Sequence, residues 1–408
     1  MRIKAFAGWL PRLQDVVEVA AVPYDVVDTK EARALAEGRP NSLLQVDRAE
    51  IGFPDSQDPY APEVYARAKA NFQRLIAEGV LVQEAQPTIY LYQQEMNGRK
   101  QTGVLAACSV DDYQNDIIRK HEKTRQVKED DRTNLVDALS AHTGPIFLTF
   151  RDQTDIQALM DATLQEPAHF DFTAEDGVAH RLWKVAAPGP LVEAFAKVPL
   201  AYVADGHHRS ASASRVATMR RKANPHHTGE EDYNWLLGVL FPASHLAILP
   251  YNRVVSDLHD HTPDSLRAGI AAAGFTLQPA PSATPSSPGH VHMYLDGKWS
   301  AISWDTNAIT DPVDSLDVSV LQDRILQPLL GINDPRTDRR IDFIGGIRGT
   351  DELEKRVESG RAAVAFSMFP TTVDQLMAIA DQPAIMPPKS TWFEPKLRSG
   401  LVILSFEA

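Results

Sequence analysis

The fold of this chain is decided by the stretch Tyr202-Val203-Ala204-Asp205-Gly206-His207-His208-Arg209-Ser210-Ala211-Ser212-Ala213-Ser214-Arg215. An apolar run, Leu200 to Ala204, stops at Gly206, and a run of small residues with helix-forming character begins just after His207, His208 and Arg209. This pattern predicts a strand, a tight turn and a helix. The first turn of such a helix presents unpaired backbone N–H groups and the positive end of the helix dipole, so it is suited to an anion.

The side chains of the turn fit the same chemistry. Gly206 would let the backbone approach an anion closely, and Arg209 offers a planar, permanently charged group for phosphate or carboxylate. His207 and His208 titrate near neutrality and would hydrogen-bond the anion or carry a proton. Adjacent side chains point in different directions, so one of the two histidines would instead be packed inside the protein. We interpret Asp205 to Arg209 as the candidate site for a nucleotide or a phosphorylated small molecule.

Composition narrows the class of protein. A chain of 408 residues exceeds one ordinary core, so two or three domains are expected. The balance of 41 basic and 54 acidic residues, a net charge of −13, argues against a general nucleic-acid-binding surface. The N-terminus lacks the apolar core of a signal peptide, and no apolar run reaches the roughly 20 residues of a membrane helix. We therefore expect a cytoplasmic protein with neither membrane nor nucleic acid as partner; a homo-oligomer is compatible with the sequence.

Strands and helices alternate along much of the chain, which predicts a mixed α/β fold. Val17 to Val27 and Asn41 to Val46 each suggest a strand, and the helical spacing of apolar residues between Tyr60 and Glu78 predicts an amphipathic helix. Asn97-Gly98 predicts a hairpin turn. Cys108, the only cysteine, lies in an apolar run and is expected to be a buried thiol.

The segment Arg119 to Arg132 is densely charged and begins with Lys120-His121-Glu122. One interpretation is a solvated helix face with Glu and Lys pairs. The other is a site in which a carboxylate base lies beside cations. The residues alone leave both interpretations open.

Two cationic features lie nearer the C-terminus. Tyr251-Asn252-Arg253 interrupts an apolar strand pattern, so Arg253 is a second candidate for an anion. The loop from Pro387 to Gly400 combines lysines, hydroxyls and aromatic residues between prolines, which suggests a lid or contact surface, with core anchoring of Trp392 as an equal alternative. We expect a first domain over residues 1–260 and a C-terminal α/β domain over residues 261–408 whose last loop returns to the site.

Taken as a whole, the chain resembles a bacterial and archaeal family labelled domain of unknown function 1015. The resemblance is carried by Val22-Pro23-Tyr24-Asp25-Val26-Val27, Lys120-His121-Glu122, Asp205-Gly206-His207-His208-Arg209, Leu249-Pro250-Tyr251-Asn252-Arg253 and Met386-Pro387-Pro388-Lys389-Ser390-Thr391-Trp392-Phe393. It covers nearly the whole chain. It implies membership of the family but no particular chemistry.

A more distant resemblance carries a mechanism. The turn at Asp205-Gly206-His207-His208-Arg209 is similar to the phosphate-binding box of the ParB and sulfiredoxin superfamily, which includes free serine kinases. This implies a ParB/sulfiredoxin-like nucleotide-binding core with large insertions. It also implies that Gly206, His208 and Arg209 hold nucleotide phosphates, and that Glu122, after His121, accepts the proton of the substrate hydroxyl. The long stretch between the two boxes would then contain an insertion, for example Ile156 to Val198.

Three functions are compatible with these residues. The first is a phosphotransferase: a kinase of free serine or a similar small hydroxy acid that uses ATP, ADP or pyrophosphate as donor. Its candidate catalytic residues are Glu122, His121 and His208, and its candidate substrate ligands are Lys123, Arg125, Arg253, Lys389, Ser390 and Thr391. A magnesium ion held by phosphates and a carboxylate such as Asp205 is compatible with this chemistry.

The second function is a nucleotide-gated binding or regulatory module without turnover. The third is a phosphatase or metal-assisted hydrolase, in which Asp205, His121, His207 and His208 would serve as ligands. The sequence by itself predicts no metal site.

Overall fold

The computed structural model describes residues 1–382 and 384–406. The chain forms two compact units: Met1–Leu246 together with residues 395–406, and Ala247–Glu394. The sequence places the division after residue 260, whereas the structure divides earlier. The reason is that the strand at Tyr251–Val255 pairs with two strands of the second unit.

Strands and helices are numbered in chain order through both units. The strands are β1 (Ile3–Lys4), β2 (Trp9–Pro11), β3 (Leu81–Gln83), β4 (Tyr90–Met96), β5 (Arg99–Ser109), β6 (Ile118–Arg119), β7 (Ala141–His142), β8 (Ile146–Phe150), β9 (Phe170–Thr173), β10 (Ala179–Lys184), β11 (Ala201–Asp205), β12 (Trp235–Pro242), β13 (Ile248–Leu249), β14 (Tyr251–Val255), β15 (Thr276–Pro279), β16 (His290–Leu295), β17 (Lys298–Ser303), β18 (Ile341–Gly345), β19 (Val364–Met368), β20 (Trp392–Phe393) and β21 (Leu404–Ser405). The helices are α1 (Val16–Val19), α2 (Thr29–Ala36), α3 (Leu44–Asp47), α4 (Pro62–Ala77), α5 (Val110–Gln114), α6 (Gln126–Leu139), α7 (Thr154–Thr163), α8 (Gly189–Ala196), α9 (His207–Ala223), α10 (Pro263–Ala272), α11 (Asp317–Leu321), α12 (Asp351–Glu358) and α13 (Val373–Asp381).

The main sheet of the first unit has nine of the described strands, in the order β6-β11-β8-β12-β5-β4-β10-β9, with β1 paired to β5. The pairs β6–β11 and β8–β12 are parallel, and the remaining pairs are antiparallel. Mixed pairing with helices around the sheet confirms the predicted mixed α/β class. β8 lies between β11 and β12, and the hairpin β9–β10 extends the far edge, so the residues between the two boxes are built into the same sheet.

Helix α9 follows β11 because small residues replace the apolar run at this point. The residues that it buries include Ser210, Ala213 and Ala217, whose spacing of three and four places them along one face. Two of them, Ala213 and Ala217, pack in the apolar cluster that is built on the sheet. Arg220, Arg221 and Lys222 lie in its last turn, where positive charge is favourable to the helix dipole.

The first unit contains two apolar clusters. One is built on the sheet and includes Cys108, Phe150 and Val203, so the expectation of a buried thiol is confirmed. The other surrounds α4 and includes Phe72 and Leu135. Burial of each such side chain contributes on the order of 1.5–3 kcal/mol to stability.

The C-terminal segment, residues 395–406, is threaded through the first unit. Gln94 and Gln101, both buried on the sheet, donate to the backbone carbonyls of Lys396 and Pro395, at 2.8 and 3.4 Å. Further along, Ser399 forms two backbone hydrogen bonds with Ala21, and β21 pairs with β7. These contacts fix the backbone on either side of Lys396.

The second unit has an antiparallel sheet in the order β15-β17-β16-β19-β14-β18. Its helix α12 packs on this sheet through Leu353, with Val254 and Tyr294 in the same apolar cluster. A π-helical turn at Gln322–Leu326 directly follows α11.

Most of the predicted elements are confirmed, including the helix at Pro62–Ala77 and the hairpin at Asn97-Gly98. Two predicted strands are wrong. Val16–Val19 forms one turn of helix, because Val16 and Val19 are buried at a spacing of three while Val17 is exposed. Leu44–Asp47 is also helical. Among the described residues, no helix combines the length and apolar composition needed to cross a bilayer.

Candidate functional site

Parallel pairing of β6 with β11 assembles the candidate site. Ala201 lies opposite Ile118 and Tyr202 lies opposite Arg119. Parallel strands end at the same edge of a sheet, so the loop at residues 120–125 and the turn at Gly206 emerge side by side. The two sequence boxes therefore meet, although a long stretch of chain separates them.

The turn at Gly206 begins α9 in a conformation that favours glycine. Gly206 has φ +89°, and its N–H donates to Oδ1 of Asp205 at 2.7 Å. No side chain among residues 1–382 and 384–406 caps the helix, so the N–H groups of its first turn are not satisfied by a cap. His207 is buried, while His208 and Arg209 are partly exposed. This is the arrangement that the sequence predicts for an anion site.

Asp205 is an ion-pair partner as well as part of the turn. Nζ of Lys396 donates to its Oδ2 at 2.7 Å, and the side chain of Asp205 is 29% exposed. Burial by itself would raise the pKa of the Asp205 carboxyl, but the charges of Lys396 and Arg209 outweigh burial and lower that pKa. Asp205 is therefore a carboxylate, and each of its two oxygens accepts a hydrogen bond.

Arg209 folds back over the turn. Its Nη1 donates to the carbonyl of Pro145, and its Nε is buried without a hydrogen-bond partner in the described chain. A Cβ on Gly206 would lie 3.2 Å from Nε and Nη2 of Arg209, so the guanidinium packs directly on the turn. No carboxylate of the described residues lies within ion-pair distance of it. Arg209 is thus held by a backbone carbonyl, and its charge is not neutralised by a direct ion pair.

A small cavity, lined by polar and apolar side chains, lies beside Arg209. It has a volume of about 30 Å³, and the groups that line it include Asp47, Arg132, Thr143 and Ser399. Thr143 donates to Oδ1 of Asp47 at 2.6 Å. The inner side of the Arg209 guanidinium therefore meets polar groups, which makes burial of its charge less costly.

His121 and His207 form a buried pair. Their ring centroids lie 4.5 Å apart, edge to face, and the residues are 1% and 7% exposed. None of the four ring nitrogens has a hydrogen bond of normal geometry to any residue that the structure describes. Burial lowers the pKa of His207 to about 4, and burial with the neighbouring His207 lowers the pKa of His121 well below its ordinary value. Asp205 and the carbonyl of Val203 oppose the shift at His121 only in part. Both rings are neutral at pH 7.

Glu122 lies beside the two rings. One carboxylate oxygen of Glu122, one ring nitrogen of His121 and one of His207 all lie within 4.8 Å of one another. Glu122 is exposed, whereas both histidines are buried. The site thus joins a solvent-accessible carboxylate to two buried neutral imidazoles, a set that can move a proton or bind a cation.

His208 faces a second helix N-terminus. Its Nε2 accepts a hydrogen bond of 3.0 Å from the backbone N–H of Arg125, the N-cap of α6, across 83 residues of sequence. Burial lowers the pKa of His208, with Arg125 and Lys128 acting in the same direction and Asp25 against them. His208 is therefore a neutral ring with Nδ1 protonated. The densely charged segment forms the loop at residues 120–125 and then α6, so the interpretation as a helix is confirmed for its second half. The interpretation as a carboxylate base beside cations stays a prediction.

The predicted substrate ligands fall into two groups. Lys123 and Arg125 are exposed in the loop that carries Glu122. The others belong to the second unit. There the guanidinium of Arg253 is buried and donates to the carbonyls of Tyr251 and Lys389.

Within that unit the ammonium of Lys389 lies 5.2 Å from the ring centroid of Tyr251, and buried Ser390 donates to the carbonyl of Pro387 at 2.7 Å. Thr391, next in the chain, is partly exposed. The structure thus gives Arg253 and Ser390 contacts that hold their own loop in place. Their role toward a substrate stays a prediction.

Two charged groups near the turn escaped the sequence analysis. Lys396 lies in the loop from which Lys389 was chosen, and composition could not show which lysine reaches Asp205. Asp25, exposed after buried Tyr24, lies near enough to influence His208. The segment Val22 to Val27, which carries part of the family resemblance, is the sequence signal for Asp25.

Comparisons with known proteins give one family and several distant structures. A family model described as "Protein of unknown function (DUF1015)" matches residues 3–319. No curated protein matches the chain.

Three solved structures illustrate the structural likeness. A free serine kinase in complex with AMP has 10% identity and a TM-score of 0.37, over 73% of this chain and 91% of that chain. A conserved hypothetical protein from Pyrococcus furiosus has 12% identity and a TM-score of 0.35, over 73% and 95%. SbnI with a C-terminal truncation, from Staphylococcus aureus, has 11% identity and a TM-score of 0.39, over 71% and 82%.

Proposed function

The chain belongs to the family described as protein of unknown function (DUF1015), and we propose that it is a phosphotransferase acting on free serine or a similar small hydroxy acid. Its donor would be a nucleotide, ATP or ADP, or pyrophosphate. Its place of action would be the cytoplasm.

One observation carries the proposal: the side chain of Glu122, from a separate loop, lies beside the first turn of α9. A carboxylate oxygen of Glu122 is within 4.8 Å of a His207 ring nitrogen, and the first turn of α9 has no side-chain cap among the described residues. Phosphoryl transfer needs a base near the nucleophile and positive charge around the phosphoryl group. The resemblance of this turn to the phosphate-binding box of serine kinases favours transfer over other uses of the same groups.

The geometry supports the following roles. The backbone N–H groups of the first turn of α9, with His208 and Arg209, would hold the donor phosphates. The carboxylate of Glu122 would accept the proton of the substrate hydroxyl as that oxygen bonds to the terminal phosphorus. The bond from this phosphorus to the bridging oxygen breaks, and the shortened donor leaves with the electron pair.

Exposed Lys123 and Arg125 would hold the carboxylate of the substrate. A magnesium ion would be held through phosphate oxygens, since Lys396 and the Gly206 N–H already engage both oxygens of Asp205.

Phosphorus NMR tests the proposal. The full chain is incubated with serine and each donor in turn, and formation of phosphoserine is followed. Glu122→Gln should lower the rate by about 10²-fold or more, the contribution typical of a general base. Binding of the donor, measured as a shift in melting temperature, should persist in this variant. The matched control is Glu193→Gln, an exposed glutamate on α8, which should leave the rate unchanged.

Each outcome decides something. Unchanged turnover in Glu122→Gln would reject Glu122 as the base. A donor-dependent melting shift with no product from any small hydroxy acid would replace the proposal with the binding module.

A further inference from the structure

We propose that His121, Glu122 and His207 bind one divalent first-row transition-metal ion, of the class to which Zn²⁺ and Co²⁺ belong. This metal site goes beyond phosphoryl transfer and does not depend on it, because it is inferred from the three side chains alone.

The three candidate ligand atoms lie close to one another. The carboxylate oxygen of Glu122 and one ring nitrogen from each histidine lie within 4.8 Å of one another. Ligands at about 2.1 Å from a single zinc ion are about 3–4 Å apart. Small rotations of the three side chains would close that gap.

The nitrogens of the two imidazole rings are buried and, within the described residues, lack hydrogen bonds of normal geometry. Buried polar atoms are almost always hydrogen-bonded. Yet Nδ1 and Nε2 of both His121 and His207 have no hydrogen bond of normal geometry in the described chain, and the residues are 1% and 7% exposed. A metal ion between the rings would use one nitrogen of each. This pair of unsatisfied rings is the observation that points to a ligand.

The local charge also favours a cation. The carboxylate of Asp205 lies near both rings, so a cation placed between them would be stabilised. The carboxylate of Glu122 adds a second negative group at the solvent side. Two imidazoles and one carboxylate are a ligand set for borderline transition metals, and they leave coordination positions open to water or phosphate oxygens.

The site also fits beside the phosphate turn, because His207 is the first residue of α9. If Glu122 binds the ion through one oxygen, its other oxygen can still face an acceptor hydroxyl. The two proposals therefore share Glu122 but predict different measurements.

The test is metal binding by the full chain. Protein treated with a chelator and then dialysed is titrated with Zn²⁺ and, separately, with Co²⁺, by calorimetry and by visible absorption of the cobalt complex. We expect one ion per chain and a cobalt spectrum of low coordination number. Glu122→Gln and His207→Ala should each weaken affinity by at least about tenfold. His226→Gln, in an exposed loop, is the control and should bind as the wild type does.

If His207→Ala fails to fold, Glu122→Gln decides the matter, because an exposed side chain can be exchanged without loss of packing. Absence of stoichiometric binding in the wild type, or equal affinity in wild type and Glu122→Gln, would overturn the metal site. Phosphoryl transfer without binding of zinc or cobalt would reject the metal site and support the phosphotransferase. Stoichiometric metal binding without phosphoryl transfer from any donor would support the metal site and reject the phosphotransferase.

Discussion

The ammonium of Lys396 lies 2.7 Å from the carboxylate of Asp205, across 191 residues of sequence. The two side chains are 17% and 29% exposed, so water screens the pair only in part. The contact links the C-terminal segment to the turn that begins α9. The position of the turn therefore depends on residues that are remote in sequence.

Removing this ammonium should destabilise the protein. Lys396→Met leaves the Asp205 carboxylate partly buried without its closest cation, so we expect a loss of about 1–3 kcal/mol in the free energy of unfolding. Urea unfolding measures it. Lys197→Met is the matched control, since Lys197 lies 3.8 Å from Asp155 with side chains 74% and 51% exposed. Its expected effect is within about 0.5 kcal/mol. Equal effects of the two substitutions would contradict the structural role of Lys396.

The turn at Asp205 to Arg209 was accessible to sequence reasoning because its signals are local. A glycine that ends an apolar run, followed by small residues, specifies strand, turn and helix without any long-range information. The observed order of β11, turn and α9 agrees with that prediction, although α9 already begins at His207, before the run of small residues.

The meeting of Glu122 with His207 has no local signal. It depends on the parallel pairing of β6, a strand of two residues, and no periodicity in the sequence reports such a short strand. Only the resemblance to the serine kinases paired the two boxes. Lys396 was missed for a similar reason. Hydrogen bonds from Gln94 and Gln101 to backbone carbonyls place the C-terminal segment. Contacts to backbone atoms leave no signal in the side chains of that segment, so the sequence does not show which lysine reaches Asp205.

The stability of the second unit should depend on pH through Asp317. Its carboxyl is nearly buried and accepts a hydrogen bond of 2.9 Å from the N–H of Gly289. Burial raises the pKa of Asp317 to about 6, although this hydrogen bond and His290 oppose the shift. The folded state therefore binds the proton more tightly than the unfolded state. The stabilisation of the folded state by this proton is complete below the ordinary pKa near 3.8 and is lost as pH rises through about 6.

Asp317→Asn removes that dependence, since the amide is neutral and its oxygen can still accept from Gly289. We expect the variant to be more stable than the wild type at pH 7.5, by up to about 3 kcal/mol, with the difference shrinking toward pH 4. Thermal unfolding at a series of pH values gives the difference. Asp260→Asn, at a side chain that is 95% exposed, should show no such trend. A variant less stable than the wild type at pH 7.5 would refute the assignment.

Gly206→Ala should separate backbone strain from the position of Arg209. The substitution forces a side chain into φ +89°, which costs about 1–3 kcal/mol, and its Cβ would lie 3.2 Å from Nε and Nη2 of Arg209. The guanidinium can move, so the crowding should displace it from the turn rather than unfold the chain. Gly177→Ala is the matched control: its φ is +80°, and nothing lies within 4 Å of its Cβ. We expect similar losses of stability in urea unfolding for both variants, but loss of the ADP-dependent rise in melting temperature only in Gly206→Ala. If Gly206→Ala kept that rise while losing as much stability as Gly177→Ala, the contact between Arg209 and the turn would have no part in binding the nucleotide.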